Sequence, residues 1–409
     1  MGEAEPVLKI QYTTNTEGFL QQLLSQIQSS YQVAKNTQFE VSEHNIVQST
    51  PSMYSTNFDY IPNTIQTYIK KHITSHYTTT IKVNERTFNI HFCIDKELHL
   101  IIYPNLNEYV QYIYTWLNVA SAFATDNCSI DMNIFLYFTS LKKTLPEIKS
   151  NVISQEHANT AFTTSCKTST EINIFRHEEW FKVLIHETFH NMGMDFSGFD
   201  NAKANQFINT IFPVNTDVRL YEAYTETFAE VLNILHIVCF KEKSDKINTS
   251  MADVTDMLKL ETQFGLFQVS KIMNHYNLKY TDLFSLTEIS CKKRDTLYKE
   301  ETAVLSYYVI KTLLLYNLND FIIWCQKYND SSINFSYPNR QHNAIDDKIL
   351  QLCKFIKKKH NDVLFIDAFN LFETETQKVI EYTFTQESDK VTKYAMNTLQ
   401  MTIFPFPNT

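Results

Sequence analysis

Between Pro213 and Pro338 the chain contains no proline, and beyond Gly198 its only glycine is Gly265. Nothing in such a stretch interrupts a helix. Apolar residues recur there at the 3.6-residue period over 217–240, 252–275 and 301–317, and again over 375–398. The first half reads differently. An amphipathic helix is expected over 18–33, a polar loop over 36–56 and a further helix over 63–77. Thr79 to Val83 and Thr87 to Ile94 then alternate about an Asn84-Glu85-Arg86 turn, and Leu98 to Tyr103 reads as a third strand stopped by Pro104. A strongly apolar helix over 107–124 precedes a buried strand at Ile130 to Phe138. Short extended pieces follow at Asn159 to Thr164 and Glu171 to Phe175. Strands with one backing helix, then a run of helices, predict an α+β fold. The expected division is 1–55 (helix and linker), 56–241 (core) and 242–409 (helical).

Composition narrows the function classes. The 44% hydrophobic and 20% charged residues belong to a chain that buries a large core. The net charge of −9 disfavours nucleic acid and anionic membrane surfaces as partners. The basic run IKKKH at Ile356 to His360 reads as a solvated helix face. No run of 18 apolar residues exists, and the N-terminus lacks the basic start and apolar core of a signal peptide. The seven cysteines are scattered and form no CxxC pair, which predicts free thiols in a reducing, intracellular and cytoplasmic setting.

The chemistry concentrates in residues 177–195, HEEWFKVLIHETFHNMGMD. WFKVLIHETFH has helical period and no breaker. Glu178 and Glu179 are expected in its first turn, where carboxylates complement the helix dipole. Gly193, one of only five glycines, is expected as a left-handed cap. His186 and His190, four apart, project from one face and can reach one cation. Glu187 lies about one hundred degrees round, placed to act as general base on a metal-activated water without being a ligand. Neutral imidazoles suit Zn²⁺, and three protein ligands leave a position for water. HExxH alone arises by chance in roughly one chain in a hundred at average residue usage. Its uncharged neighbours at 183–185, 188, 189 and 192 set it apart from a surface accident.

A third ligand is sought in RLYEAYTETFAEVL, residues 219–232. Glu222, Glu226 and Glu230 form one stripe on an otherwise apolar helix, so the stripe is expected to be at least partly buried. Glu226, flanked by carboxylates on both sides, is the assigned ligand. Glu230 is then expected to accept from a ligand histidine, and Glu222 to pair with Arg219. The competing assignment moves everything one turn back, with Glu222 as ligand and Glu226 behind it. A HExxHxxGxxH reading places the third ligand at Phe196, which leaves only the neighbouring Asp195 as a candidate. Tyr221, Tyr224 and Arg219 are candidates to stabilise an oxyanion, Tyr221 first. His72 and His76 read as a solvated helix face, His177 as a cap, His236 as a core histidine and Cys166 as a small buried residue near the cleft.

HETFH with ETFAE resembles the gluzincin group of zinc peptidases, and ETFAE is similar to the ExFAE segment of the catalytic domain of anthrax lethal factor and its relatives. The likeness covers about 180–195 and 219–233. Residues 171–197 also resemble metallopeptidase-like proteins of large DNA viruses, and the Tyr- and Phe-rich composition of AT-rich coding is compatible with a viral protein. The resemblance implies a zincin-like core: a twisted mixed sheet with a backing helix and an active-site helix, followed here by a mainly helical C-terminal half. It implies zinc bound by His186, His190 and Glu226. It also implies an edge strand that leads into the zinc helix and pairs with an extended substrate, for which Asn159 to Thr164 is the candidate. The expected activity is hydrolysis of a peptide or protein. The alternative is a non-catalytic zinc-binding virion or host-interaction protein on the same scaffold, which would have no use for Glu187. A DNA-linked repair protease is disfavoured by the acidic balance.

Overall fold

The computed structural model describes residues 10–44, 53–241, 250–336, 342–385 and 390–404. Part of the loop expected over 36–56 and the boundary expected at 242 lie outside them. One mixed sheet of six strands carries the N-terminal half, with spatial order β1-β2-β3-β4-β6-β5. Helix α1 (Thr14–Lys35) is capped by the Thr13 side chain, which accepts from the Thr16 backbone. β1 (Ser42–His44), α2 (Asn63–His72), β2 (Ile73–Val83) and β3 (Arg86–Asp95) follow, and β1, β2 and β3 pair antiparallel. Helix α3 (Leu106–Phe123) crosses over the sheet so that β4 (Asp131–Phe138) joins β3 in parallel. β6 (Ser169–Ile174) lies parallel to β4, and β5 (Ala161–Thr163) closes the edge antiparallel to β6. The candidate edge strand therefore does lie at the edge. The chain reverses through β6 before it reaches the HExxH helix.

Two expectations fail in this half. Residues 98–103 form no strand: His99–Ile102 is a helical turn and Tyr103–Asn105 a tight 3-10 turn leading into α3. Asp95 directs this, since its Oδ1 accepts from Glu97 N at 3.0 Å and its carbonyl from Leu98 N at 3.0 Å, and Pro104 sits in the first turn where it lacks no bond. The helix expected over 63–77 ends at His72 because the β-branched, aromatic run from Ile73 enters the sheet. His76 is thus no solvated helix face. It is buried in β2, with Nε2 3.2 Å from Nδ1 of His91.

Helices dominate from residue 180 onward. They are α4 (Trp180–Asn191), α5 (Ala202–Ile211), α6 (Leu220–Lys241), α7 (Met251–His275), α8 (Glu288–Leu297), α9 (Lys311–Tyr316), α10 (Leu318–Asn329), α11 (His342–Lys359), α12 (Val363–Thr385) and α13 (Lys390–Asn397). Of the stretch read as helical over 375–398, residues 386–389 lie outside the described residues, and the described parts are helical in α12 and α13. Leu305–Ile310 is a π-helical turn running into α9. α6 is the hub: it packs on α1, α4, α7, α9 and this π turn, buried from Glu222 to Phe240. One hydrophobic cluster runs from Phe19 through α3, α4 and α6 to Leu399 and Met401. No helix among the described residues is long and apolar enough to cross a membrane.

The scattered cysteines mislead once. Cys128 and Cys166 are disulfide-bonded, with Cα atoms 4.9 Å apart. They precede β4 and β6, which are neighbours in the sheet, so strand pairing brings together residues 38 apart in sequence. The expectation of free thiols holds for Cys93, Cys239, Cys291, Cys325 and Cys353, and is overturned for this pair. Cys166 is exposed rather than buried.

Candidate metal centre

α4 starts one residue later than its acidic pair. Glu179 is the cap residue, in left-handed conformation at φ 57°, and no acidic residue lies in the first turn. Glu178 and Glu179 instead bind other chain segments. Glu178 accepts from Lys143 N at 2.7 Å and from the Tyr394 hydroxyl at 2.6 Å. Glu179 pairs with Lys143 and accepts from the backbone of Met401 and Thr402. His177 is not a cap either; its Nε2 meets the Tyr109 hydroxyl at 3.0 Å. At the other end Gly193 has φ 64°, and Met194 N donates to Phe189 O, closing the helix as expected.

α4 and α6 cross with opposite sense. Lys182, His186 and His190 form a stripe on α4, and it meets Glu226 and Glu222 on α6 in reverse order. Lys182 pairs with Glu226, His186 touches both glutamates, and His190 meets Glu222. His186, His190 and Glu222 are the one group among the described residues that brings three potential ligand atoms together, and all three are buried. Nε2 of His186 and Nε2 of His190 are 3.1 Å apart, and Oε2 of Glu222 lies 3.1 and 3.0 Å from them.

The glutamate that converges with the two histidines is Glu222, the competing assignment, and not Glu226. Glu226 was reasoned to need a cation, and it has one in Lys182. Its other oxygen lies 2.7 Å from Nδ1 of His186, behind the cluster. Glu230 does not accept from a histidine; it pairs with Lys311 at 2.7 Å. Arg219 reaches Asp217 at 3.4 Å, not the Glu222 carboxylate. Asp195 is no ligand in this geometry, but its Oδ2 holds Nδ1 of His190 at 2.5 Å. Phe196 is core. His236 is the expected core histidine, with Nδ1 2.7 Å from Leu232 O.

The donor chemistry fits a divalent cation. Carboxylates only accept, so Asp195 and Glu226 keep the protons of the two imidazoles on Nδ1. A neutral ring held in this way presents a lone pair at Nε2, and with both rings neutral the two lone pairs converge with an anionic oxygen. Three acceptors around one point are mutually repulsive until a positive charge lies between them. Donors on a tetrahedral Zn²⁺ at about 2.0–2.1 Å stand roughly 3.3 Å apart, close to the spacing here.

The shift directions place the same demand for positive charge at the cluster, met by protons on the imidazoles where no metal lies between them. Burial opposes charge on His190, yet Glu222 and Asp195 overcome it and lift the imidazole well above its usual range. Burial likewise opposes charge on His186, and Glu222 and Glu226 raise it. Burial would raise Glu222, and the two histidines hold it far below the usual carboxylate range. Glu187 goes the other way: burial raises it more than the histidines lower it.

The cluster opens on a cleft of about 280 Å³ lined by Glu187, Arg219, Tyr221, Tyr307 and the β5 residues Ala161 to Thr163. Tyr221 stands edge-on to His190 with ring centroids 5.9 Å apart. Tyr224 points elsewhere; its hydroxyl donates to Ile333 O in the core. Tyr307 was not read from the sequence. Its ring centroid lies 6.0 Å from that of His186, and it belongs to the π turn at Leu305–Ile310, a local device common at functional sites. Lys182 was also missed, although its place four residues before His186 put it on the same stripe.

Comparison with protein-family models, with curated proteins and with solved structures returns no match for this chain.

Proposed function

We propose that this protein is a zinc-dependent peptidase in which His186, His190 and Glu222 hold the metal and Glu187 is the general base. The single observation that carries the reading is the convergence of two Nε2 atoms and one carboxylate oxygen beside a buried glutamate that is no part of the cluster but lines the same cleft. When bound, zinc supplies Lewis acidity toward a carbonyl oxygen and a water.

The chain's own groups do the rest. Glu187, held above the ordinary carboxylate range by burial, takes the proton of the attacking water and returns it to the leaving amine. Tyr221 and Tyr307 keep their phenolic protons, since burial raises both, Tyr221 to about 12. They serve as hydrogen-bond donors to the developing oxyanion. The free edge of β5 pairs with an extended peptide and holds it across the cleft. Asp195 and Glu226 fix the imidazole tautomers, and Lys182 keeps Glu226 ionised.

The test is zinc content and peptide hydrolysis of wild type beside Glu187→Gln. Wild type should hold about one zinc per chain and cleave. Glu187→Gln should keep the zinc and lose activity by about 10²–10⁴-fold. Equal activity in the two proteins, or wild type without metal after zinc is supplied, ends this reading.

A further inference from the structure

Next to the cleft lies a second, smaller pocket of about 30 Å³. The two share Asn159, Ala161, His186, Glu187 and Tyr307, so the small pocket opens where the chemistry would occur. Its far wall is built by the C-terminal segment. Met401 N and Thr402 N donate to Glu179, and Leu399 N donates to Lys143 O at 3.1 Å, which locks the segment behind α4. Met401 is buried, and its Sδ lies 3.7 Å from Nζ of Lys182.

Two lysines line this pocket, and both are neutralised. Lys143 pairs with Glu179, and Lys182 with Glu226. An anionic group entering would find neither lysine free as a counter-charge. Thr160 also lines the pocket, is 4% exposed, and its hydroxyl has no hydrogen-bond partner among the described residues. A buried hydroxyl in that state gains from a polar guest. A water needs about 10–15 Å³ of such space, so the pocket holds about two non-hydrogen atoms.

Resting on the peptidase reading, we propose that this pocket receives the side chain of a residue flanking the scissile bond and admits only small, uncharged groups, serine best. Met401 sets its depth and Thr160 its polarity. The side chain of alanine or serine fits; leucine does not.

The test uses the zinc-loaded full chain on a peptide mixture randomised on both sides of the scissile bond, with products read by mass spectrometry. Serine and alanine should exceed leucine by at least about tenfold at one flanking position, the discrimination a closed pocket gives. Met401→Ala should shift that position toward leucine by a comparable factor. Thr160→Val, which keeps the volume, should lower the serine-to-alanine ratio several-fold and tests the pocket even if Met401→Ala does not fold. A wild type that accepts leucine as readily as serine at both flanking positions overturns the proposal. So does a Met401→Ala profile identical to wild type. No cleavage by wild type at all, as with Glu187→Gln, overturns the peptidase reading and removes the basis of the pocket with it.

Discussion

Helix α6 carries Glu222 and Glu230 two turns apart on one stripe, yet its two ends do different things. At the cleft end Glu222 faces two imidazoles whose Nε2 atoms converge on its oxygen. At the interior end Glu230 faces Lys311, fully buried, and the same lysine donates to Met401 O at 3.3 Å. Glu226 between them divides its oxygens, one to Lys182 and one to His186. The residue type and helical spacing are the same; what differs is the face of the neighbouring element. A lysine neutralises a carboxylate outright and makes a structural pair. Two neutral histidines do not, and leave a place for a cation.

Stability and metal affinity should therefore separate along this helix. The largest effect is expected at Glu222. Glu222→Gln should lower zinc affinity by more than the ~10–100-fold that loss of an outer partner costs, and Glu226→Gln should stay within that range. Competition with a chelator measures both. The reverse ranking would restore Glu226 as the ligand and break the comparison.

At the interior end Lys311→Met leaves the Glu230 carboxylate buried without its partner. It should cost about 3–5 kcal/mol in denaturant unfolding while the folded protein still binds zinc. Adding Glu230→Gln should recover most of that loss. Zinc loss without destabilisation would show the two ends to be one unit.

A smaller effect sharpens the interior end by pH. Glu261 accepts from the Thr402 hydroxyl and from Ile403 N at 3.3 Å, and burial, opposed by Lys311, raises it from 4.5 to about 7. Between those values the folded chain binds more protons than the unfolded one. The contribution of Glu261 is thus complete below pH 4.5 and is lost as pH rises toward 7. Glu261→Gln stays neutral, so its stability relative to wild type should climb over that window by up to about 3 kcal/mol. A difference independent of pH would show that Glu261 is ionised throughout. At any one pH, zinc affinity should be the same for Glu261→Gln as for wild type.

Much of the fold was legible because its signals are local. The alternation in β2 and β3, the apolar helix α3, the buried β4 and the proline-free helical half each lie within one segment. The left-handed cap at Gly193 and the His186–His190 pair follow from helix geometry alone. The misplaced strand at 98–103 and the overextended α2 failed where a side chain, Asp95, or an adjoining strand decided the backbone. The cysteine reading failed because Cys128 and Cys166 meet only through the parallel pairing of β4 with β6.

The sequence by itself determined that two histidines and a glutamate lie within one turn and a half of one helix, and that three glutamates share a stripe of another. Only the tertiary structure decided which glutamate meets the histidines. The crossing of α4 and α6 sets Lys182 against Glu226 and the histidine pair against Glu222, a register fixed by packing around α6 and by no residue within either helix. It also brought Tyr307, Met401 and Lys311 to the site from more than eighty residues away, because burial of α6 on every side requires partners from the whole chain.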